Sequence, residues 1–145
     1  MARDYQRSKV YAWEQEYIAP HDSSQVRFED IPAIVNYVWE AEGLLYPPAI
    51  EAFPKQMKRN AADATRLTLR FHEDQCTSTW IILHEIAHSM TSEAWGNSNQ
   101  HGSDFVGVYI LLASKYLGVR LSDLIVSARE SKVDYNLGAV ALQNR

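Results

Sequence analysis

Between Ile81 and Met90 the only ionisable residues are two histidines and a glutamate, set out as His84-Glu85-Ile86-Ala87-His88. The flanking Ile81, Ile82, Leu83 and Met90 suit a helix that is largely buried, so the fold has to enclose this helix while leaving one polar face open to a cleft. Positions four apart on a helix differ by about 40° around the axis, which turns both imidazoles to one side, one turn apart. That is the geometry of two ligands to one ion. Glu85 stands about 100° from His84, close enough to hold a water on such an ion without taking a coordination place. A carboxylate there can accept the proton of a zinc-activated water and pass it to a leaving group. Left without a ligand, two imidazoles beside a carboxylate would be costly to bury in so apolar a setting.

A catalytic zinc site takes three protein ligands, so a third is needed. Glu93, five positions past His88, has turned about 140° from it and faces away if the helix continues. Glycine three and histidine six residues past His88 would offer a helix-turn route, but those positions hold Thr91 and Ala94. His101 remains, beyond a polar Gly-Asn-Ser-Asn loop that can turn the chain back, with Asp104 as the alternative. An acid at position 104 is equally well placed to favour the positive end of the helix that follows.

The rest of the chain organises around this helix. Tyr5 to Ile18 reads as an amphipathic helix ending before Pro20, with Val10, Tyr11, Trp13, Tyr17 and Ile18 as core. After a loop at "HDSSQVRF", Asp30 as N-cap, Pro32 in the first turn and Gly43 as stop delimit a second helix that buries Ile34, Val35, Val38 and Trp39. The proline-rich stretch that follows predicts strands and turns. In "TRLTLRF", Leu67, Leu69 and Phe71 alternate with Arg66, Thr68 and Arg70, which predicts a strand over 66–71 with one face buried. Its partners are expected near Ala49 to Phe53 and Lys58 to Ala62. The motif helix should run over 79–92, capped by Thr77 or Ser78, with Gly96 near its end. A fourth helix from Ser103 buries Phe105, Val108, Tyr109, Leu112 and Tyr116 and stops at Gly118, and a fifth, capped by Ser122 or a neighbour, covers "LSDLIVSARESKV". The expected fold class is α+β, one domain over 1–145, with helices packed on a small antiparallel sheet and the motif on a central helix.

"LHEIAHSM" followed by "QHGSDF" resembles the SprT-like zincin peptidases, whose two halves read His-Glu-x-x-His and then His-Gly-x-x-aromatic. The short layout, with a "VYAWEQE"-like opening helix and a strand before the motif helix, is similar to single-domain metallopeptidases of actinobacteria and their phages. The likeness is close over 79–109 and loose elsewhere. It implies one zinc ion held by His84, His88 and His101, Glu85 as general base, a zincin-like fold and a peptide or protein substrate. The zinc ribbon or basic tail of larger members is not seen here, so the resemblance does not extend to the DNA-linked role of some of them. In zincins an edge strand along the cleft can pair with an extended substrate, and "TRLTLRF" stands where such a strand would be.

The remaining features restrict the partners. A net charge of −4 disfavours a dedicated nucleic-acid binder, and Lys55, Lys58 and Arg59, even with Arg66 and Arg70, read as a solvated face. The single cysteine, Cys76, rules out a disulfide framework or a zinc ribbon. With no membrane-length apolar run and no apolar leader in "MARDYQRSKVYAWEQEY", a cytoplasmic protein is expected. His72 and His21 read as surface histidines, and Tyr109 and Tyr116 as core first, with stabilisation of a tetrahedral intermediate as the functional alternative. Two rival functions stand beside a peptidase: hydrolysis of another amide or ester, and a binding module whose zinc is structural. A fourth protein ligand, Asp104 or His72, would mark the second.

Overall fold

A computed structural model describes residues 4–92 and 101–138. Among these there are five α-helices and a three-stranded mixed sheet: α1 (Arg7–Tyr17), α2 (Ile31–Ala41), β1 (Ala49–Ala52), β2 (Ala62–Ala64), β3 (Thr68–Phe71), α3 (Thr79–Met90), α4 (Ser103–Leu117) and α5 (Leu121–Glu130). Among the described residues no helix is long and apolar enough to cross a membrane. The expected α+β class holds, but the sheet is not purely antiparallel.

Strand order is β1-β3-β2, with β1 parallel and β2 antiparallel to β3. The cause is the connection between β1 and β2. Residues 53–61 form a loop that turns at Pro54, whose carbonyl accepts the Met57 N–H at 2.9 Å, so β1 and β2 do not close into a hairpin. β3 fills the gap between them. The second partner strand therefore lies at 62–64 rather than 58–62, and β3 is the central strand with both edges occupied. "TRLTLRF" is thus not an edge available to a substrate; β2 is.

The alternation expected over 66–71 holds only from Thr68 onward. Leu69 and Phe71 are buried, but Leu67 is 54% exposed and Arg66 only 5%. Thr65 is responsible: its N–H donates to Thr68 O at 2.8 Å and its hydroxyl accepts from Thr68 N at 3.0 Å, which makes 65–68 a tight turn instead of the start of the strand. Arg66 is folded inward over the Trp39 ring at 4.8 Å, while Arg70 is held by Asp63 through Nη2 at 2.6 Å. Neither joins an open basic patch with Lys55, Lys58 and Arg59.

The helices end where the sequence marks them. Pro32 occupies the first turn of α2, Gly43 follows it at φ 74°, and Gly118 closes α4 at φ 71°, the left-handed conformation that glycine adopts without a Cβ penalty. Helix α3 is different. Ser78 stands at its N-cap position without a side-chain bond. The free N–H groups are instead met from the loop after α1: Ser24 Oγ accepts from Thr79 N at 2.8 Å, and Asp22 Oδ2 accepts from Trp80 N at 2.8 Å. Neither Ser122 nor a neighbouring side chain caps α5, which begins at Leu121.

Every residue of α3 from Ile82 to Met90 is buried. The helix packs against α4, against β2 and β3, and against α2. One cluster of buried side chains joins Trp13, Trp39, Phe71, Ile82, Ile86, Ile110 and Leu124, so all five helices and β3 share a core with the motif helix inside it. The far side of α4 is held by the segment after α5, where Asn136 N donates to Ser103 O at 2.9 Å. A Cβ on Gly107 would come within 1.8 Å of Asn136 O, a contact with backbone that no rotamer relieves. Gly107→Ala should therefore cost roughly 1–3 kcal/mol and lower the thermal midpoint by several degrees; a melting curve superimposable on the parent's would show that this contact is not tight in solution.

Candidate metal centre

Three buried imidazoles converge on one another. His84 and His88 come from successive turns of α3, and His101 comes from the residues just before α4. His88 Nε2 lies 3.2 Å from His84 Nε2 and 3.1 Å from His101 Nε2, and all three rings are buried. The sequence left His101 and Asp104 open as the third member. His101 is in the group, whereas Asp104 is turned away and accepts from Asn136 Nδ2 at 3.0 Å. Glu93 and the loop that includes Gly96 lie outside the described residues.

Two carboxylates, the buried Glu14 and the partly buried Asp4, set the direction of the His84 and His101 rings. His84 Nδ1 donates to Glu14 Oε1 at 2.7 Å, and His101 Nδ1 donates to Asp4 Oδ2 at 2.8 Å. Asp4 also accepts the His101 backbone N–H through Oδ1 at 3.1 Å, and Tyr109 adds its hydroxyl to Glu14 Oε1 at 2.9 Å. With Nδ1 carrying the proton, Nε2 of His84 and of His101 presents a lone pair. His88 Nε2 can donate to only one of them at a time, so a second contact sets lone pair against lone pair. Meanwhile His88 Nδ1 is buried without a partner, at a cost of about 1–3 kcal/mol. A cation resolves the repulsion: tetrahedral Zn–N bonds of about 2.0–2.1 Å place neighbouring nitrogens about 3.3–3.4 Å apart. The group can hold a metal ion, and its donors suit one that prefers imidazole nitrogen.

The protonation preferences differ around the triad. Burial and the charges of His84 and His101 hold His88 well below the usual imidazole range, so it is neutral. Burial also lowers His101, against the pull of Asp4. At His84 burial is outweighed by the Glu14 hydrogen bond and by the charges of Glu85 and Glu14, which raise it. Glu85 is pushed up to about 7, first by burial and then by Asp63 and Glu14, with His84 opposing. Its carboxyl has no hydrogen-bond partner among the described residues and lines a cleft of about 430 Å³ with Tyr11, Trp80, His84 and residues 59–62.

A larger cleft of about 790 Å³ shares Arg59, Asn60 and Ala61 with it and is also lined by Lys55, Lys58, Glu73 and Asp74. The basic residues are thus exposed and share their space with acids, in keeping with a solvated face. His72 is directed at Asn60 O, at 2.8 Å, and takes no part in the triad. Tyr109 is fully buried and Tyr116 is tied to Glu42 Oε2 at 2.6 Å, so neither hydroxyl faces the cleft as a free donor.

Glu14, Asp4 and Tyr11 were not identified from the sequence as site residues. For Glu14 a signal exists: it follows Val10 by four and Trp13 by one on the buried face of α1, and an acid on such a face needs a partner. Tyr11 is three residues before it and was placed in the core. Asp4 has no such signal, since its partner is 97 residues away. No family model, curated protein or solved structure matches the chain.

Proposed function

We propose that this chain is a zinc-dependent peptidase, similar to the SprT-like zincins, that cleaves peptide bonds with Glu85 as general base. The observation that carries the reading is the convergence of three Nε2 atoms, with the His84 and His101 rings aimed by Glu14 and Asp4 and the Glu85 carboxyl lining the adjoining cleft. When bound there, zinc supplies a Lewis acid that lowers the pKa of water and polarises a carbonyl. Glu85 takes the proton of the attacking water and delivers it to the amide nitrogen as the C–N bond breaks. Glu14 and Asp4 hold the His84 and His101 imidazoles in register through the cycle.

The edge strand favours a peptide over another amide or an ester. Ala62 lines the cleft beside His84 and Glu85 and belongs to β2, the outer strand on that side, which packs against α3. An extended backbone can add to that edge and bring its carbonyl over the triad. The triad is also the one group of metal-binding side chains found among the described residues, and neither Asp104 nor His72 adds a fourth ligand to it. That supports an open coordination place rather than a closed structural site. The free, exposed thiol of Cys76 accords with a reducing cytoplasm.

The test is to load the protein with zinc, measure its metal content, and follow hydrolysis of a denatured protein with and without a chelator. One zinc per chain and chelator-sensitive cleavage are expected, with no stimulation by single-stranded DNA at physiological salt. Stoichiometric zinc with ester but no peptide hydrolysis would shift the function to another hydrolase. Failure to bind zinc would end the proposal.

A further inference from the structure

The reaction proposed above leaves negative charge on the former carbonyl oxygen, and a donor placed to meet that charge is usually worth a large part of the rate. Tyr109 and Tyr116 have their hydroxyls committed elsewhere. Tyr11 differs from both. It lines the same cleft as His84 and Glu85 and stands edge-on to His101, with ring centroids 5.0 Å apart at 74°, and 6.2 Å from His84. Its neighbours in α1, Val10, Trp13 and Glu14, are buried, yet Tyr11 keeps 43% of its surface exposed. Its hydroxyl has no hydrogen-bond partner among the described residues.

The helix fixes this placement. Tyr11 and Glu14 are three residues apart on α1 and so share a face. The bond from Glu14 to His84 therefore sets the position of Tyr11 against the triad. Gln15, Arg59, Asn60 and Trp80 also line the cleft with polar groups, but the described aromatic contacts to the imidazoles of His84 and His101 include Tyr11 and none of Trp80. The amide and guanidinium side chains are long and exposed, and lack that anchorage.

We propose that the Tyr11 hydroxyl donates a hydrogen bond to the carbonyl oxygen of the scissile peptide as that oxygen becomes an oxyanion. This assignment rests on the peptidase reading. As water adds to the carbonyl carbon, its proton passes to Glu85 and the C=O π pair moves onto oxygen, where Tyr11 O–H meets it. When the tetrahedral carbon collapses, that pair re-forms C=O, the C–N bond breaks, and Glu85 returns its proton to the departing nitrogen. Tyr11 keeps its own proton throughout, so it acts as a fixed dipole and not as an acid.

Tyr11→Phe keeps the ring against His101 and removes only the hydroxyl. Zinc content should be unchanged, kcat should fall roughly a hundredfold with KM nearly constant, and phosphoryl-leucyl-tryptophan, whose tetrahedral phosphoryl group mimics the oxyanion, should bind more weakly by a comparable factor. A purely structural role would be met by phenylalanine, so wild-type kcat and wild-type affinity for the probe in Tyr11→Phe would overturn the assignment. Should the zinc-loaded parent cleave no peptide at all, the peptidase reading falls and takes this assignment with it, whereas an active parent with an equally active Tyr11→Phe that binds the phosphoryl probe equally well rejects the assignment alone.

Discussion

Replacing Glu85 with glutamine is expected to leave zinc stoichiometry at one per chain while peptide hydrolysis drops by roughly a hundredfold or more. The two effects separate because Glu85 does not belong to the convergent nitrogen set, which consists of His84, His88 and His101. Glutamine has nearly the same volume and can still hydrogen-bond to water, so it should fit the buried position beside Ile86 with little strain. What it lacks is basicity. In the metal-free protein Glu85 is held near 7 by burial, close to the pH at which a carboxylate can both accept and return a proton. Metal analysis and initial rates on one preparation make the measurement. Full activity in Glu85→Gln would sink the proposed mechanism.

Periodicity and spacing made some of this molecule legible and left other parts dark, for physical reasons that can be named. The His-Glu-x-x-His spacing determines which side of a helix its residues occupy, so the pairing of His84 with His88 and the buried length of α3 could be read directly. The breakers Pro32, Gly43 and Gly118 act locally, and they lie where the helices start or stop. Sheet order does not act locally. Nothing in "AIEA" or "ADATRLTLRF" encodes that β3 inserts between β1 and β2, because that depends on the path of residues 53–61. Leu67 was misassigned since its alternation with Leu69 looked like strand, while the Thr65 hydroxyl was closing a turn around it. Likewise Ser78 had the right residue type and place for a cap, yet Asp22 and Ser24, more than fifty residues earlier, supply the acceptors. The carboxylates behind the triad belong to the same class: Glu14 and His84 are 70 residues apart. Only the acid on the apolar face of α1 gave any hint of them.

The other large effect concerns His101, the one candidate ligand that helical spacing did not supply. His101→Ala removes one of three converging nitrogens and leaves His84 and His88 to hold the ion alone, so zinc should be lost on dialysis and hydrolysis with it. Asp4→Ala leaves the ring but frees its Nδ1, which Asp4 holds together with the backbone N–H of the same residue. Losing an outer partner of this kind costs about 10–100-fold in metal affinity, so Asp4→Ala should fall between the parent and His101→Ala. Asp104→Ala is the matched control, because Asp104 is engaged with Asn136 and not with the triad. Competition with a zinc chelator of known affinity ranks the four proteins. The expected order of affinity is parent and Asp104→Ala together, then Asp4→Ala, then His101→Ala. If His101→Ala held zinc as tightly as the parent, the third ligand would have to be sought at Asp104, and the role of Asp4 in aiming the site would go with it.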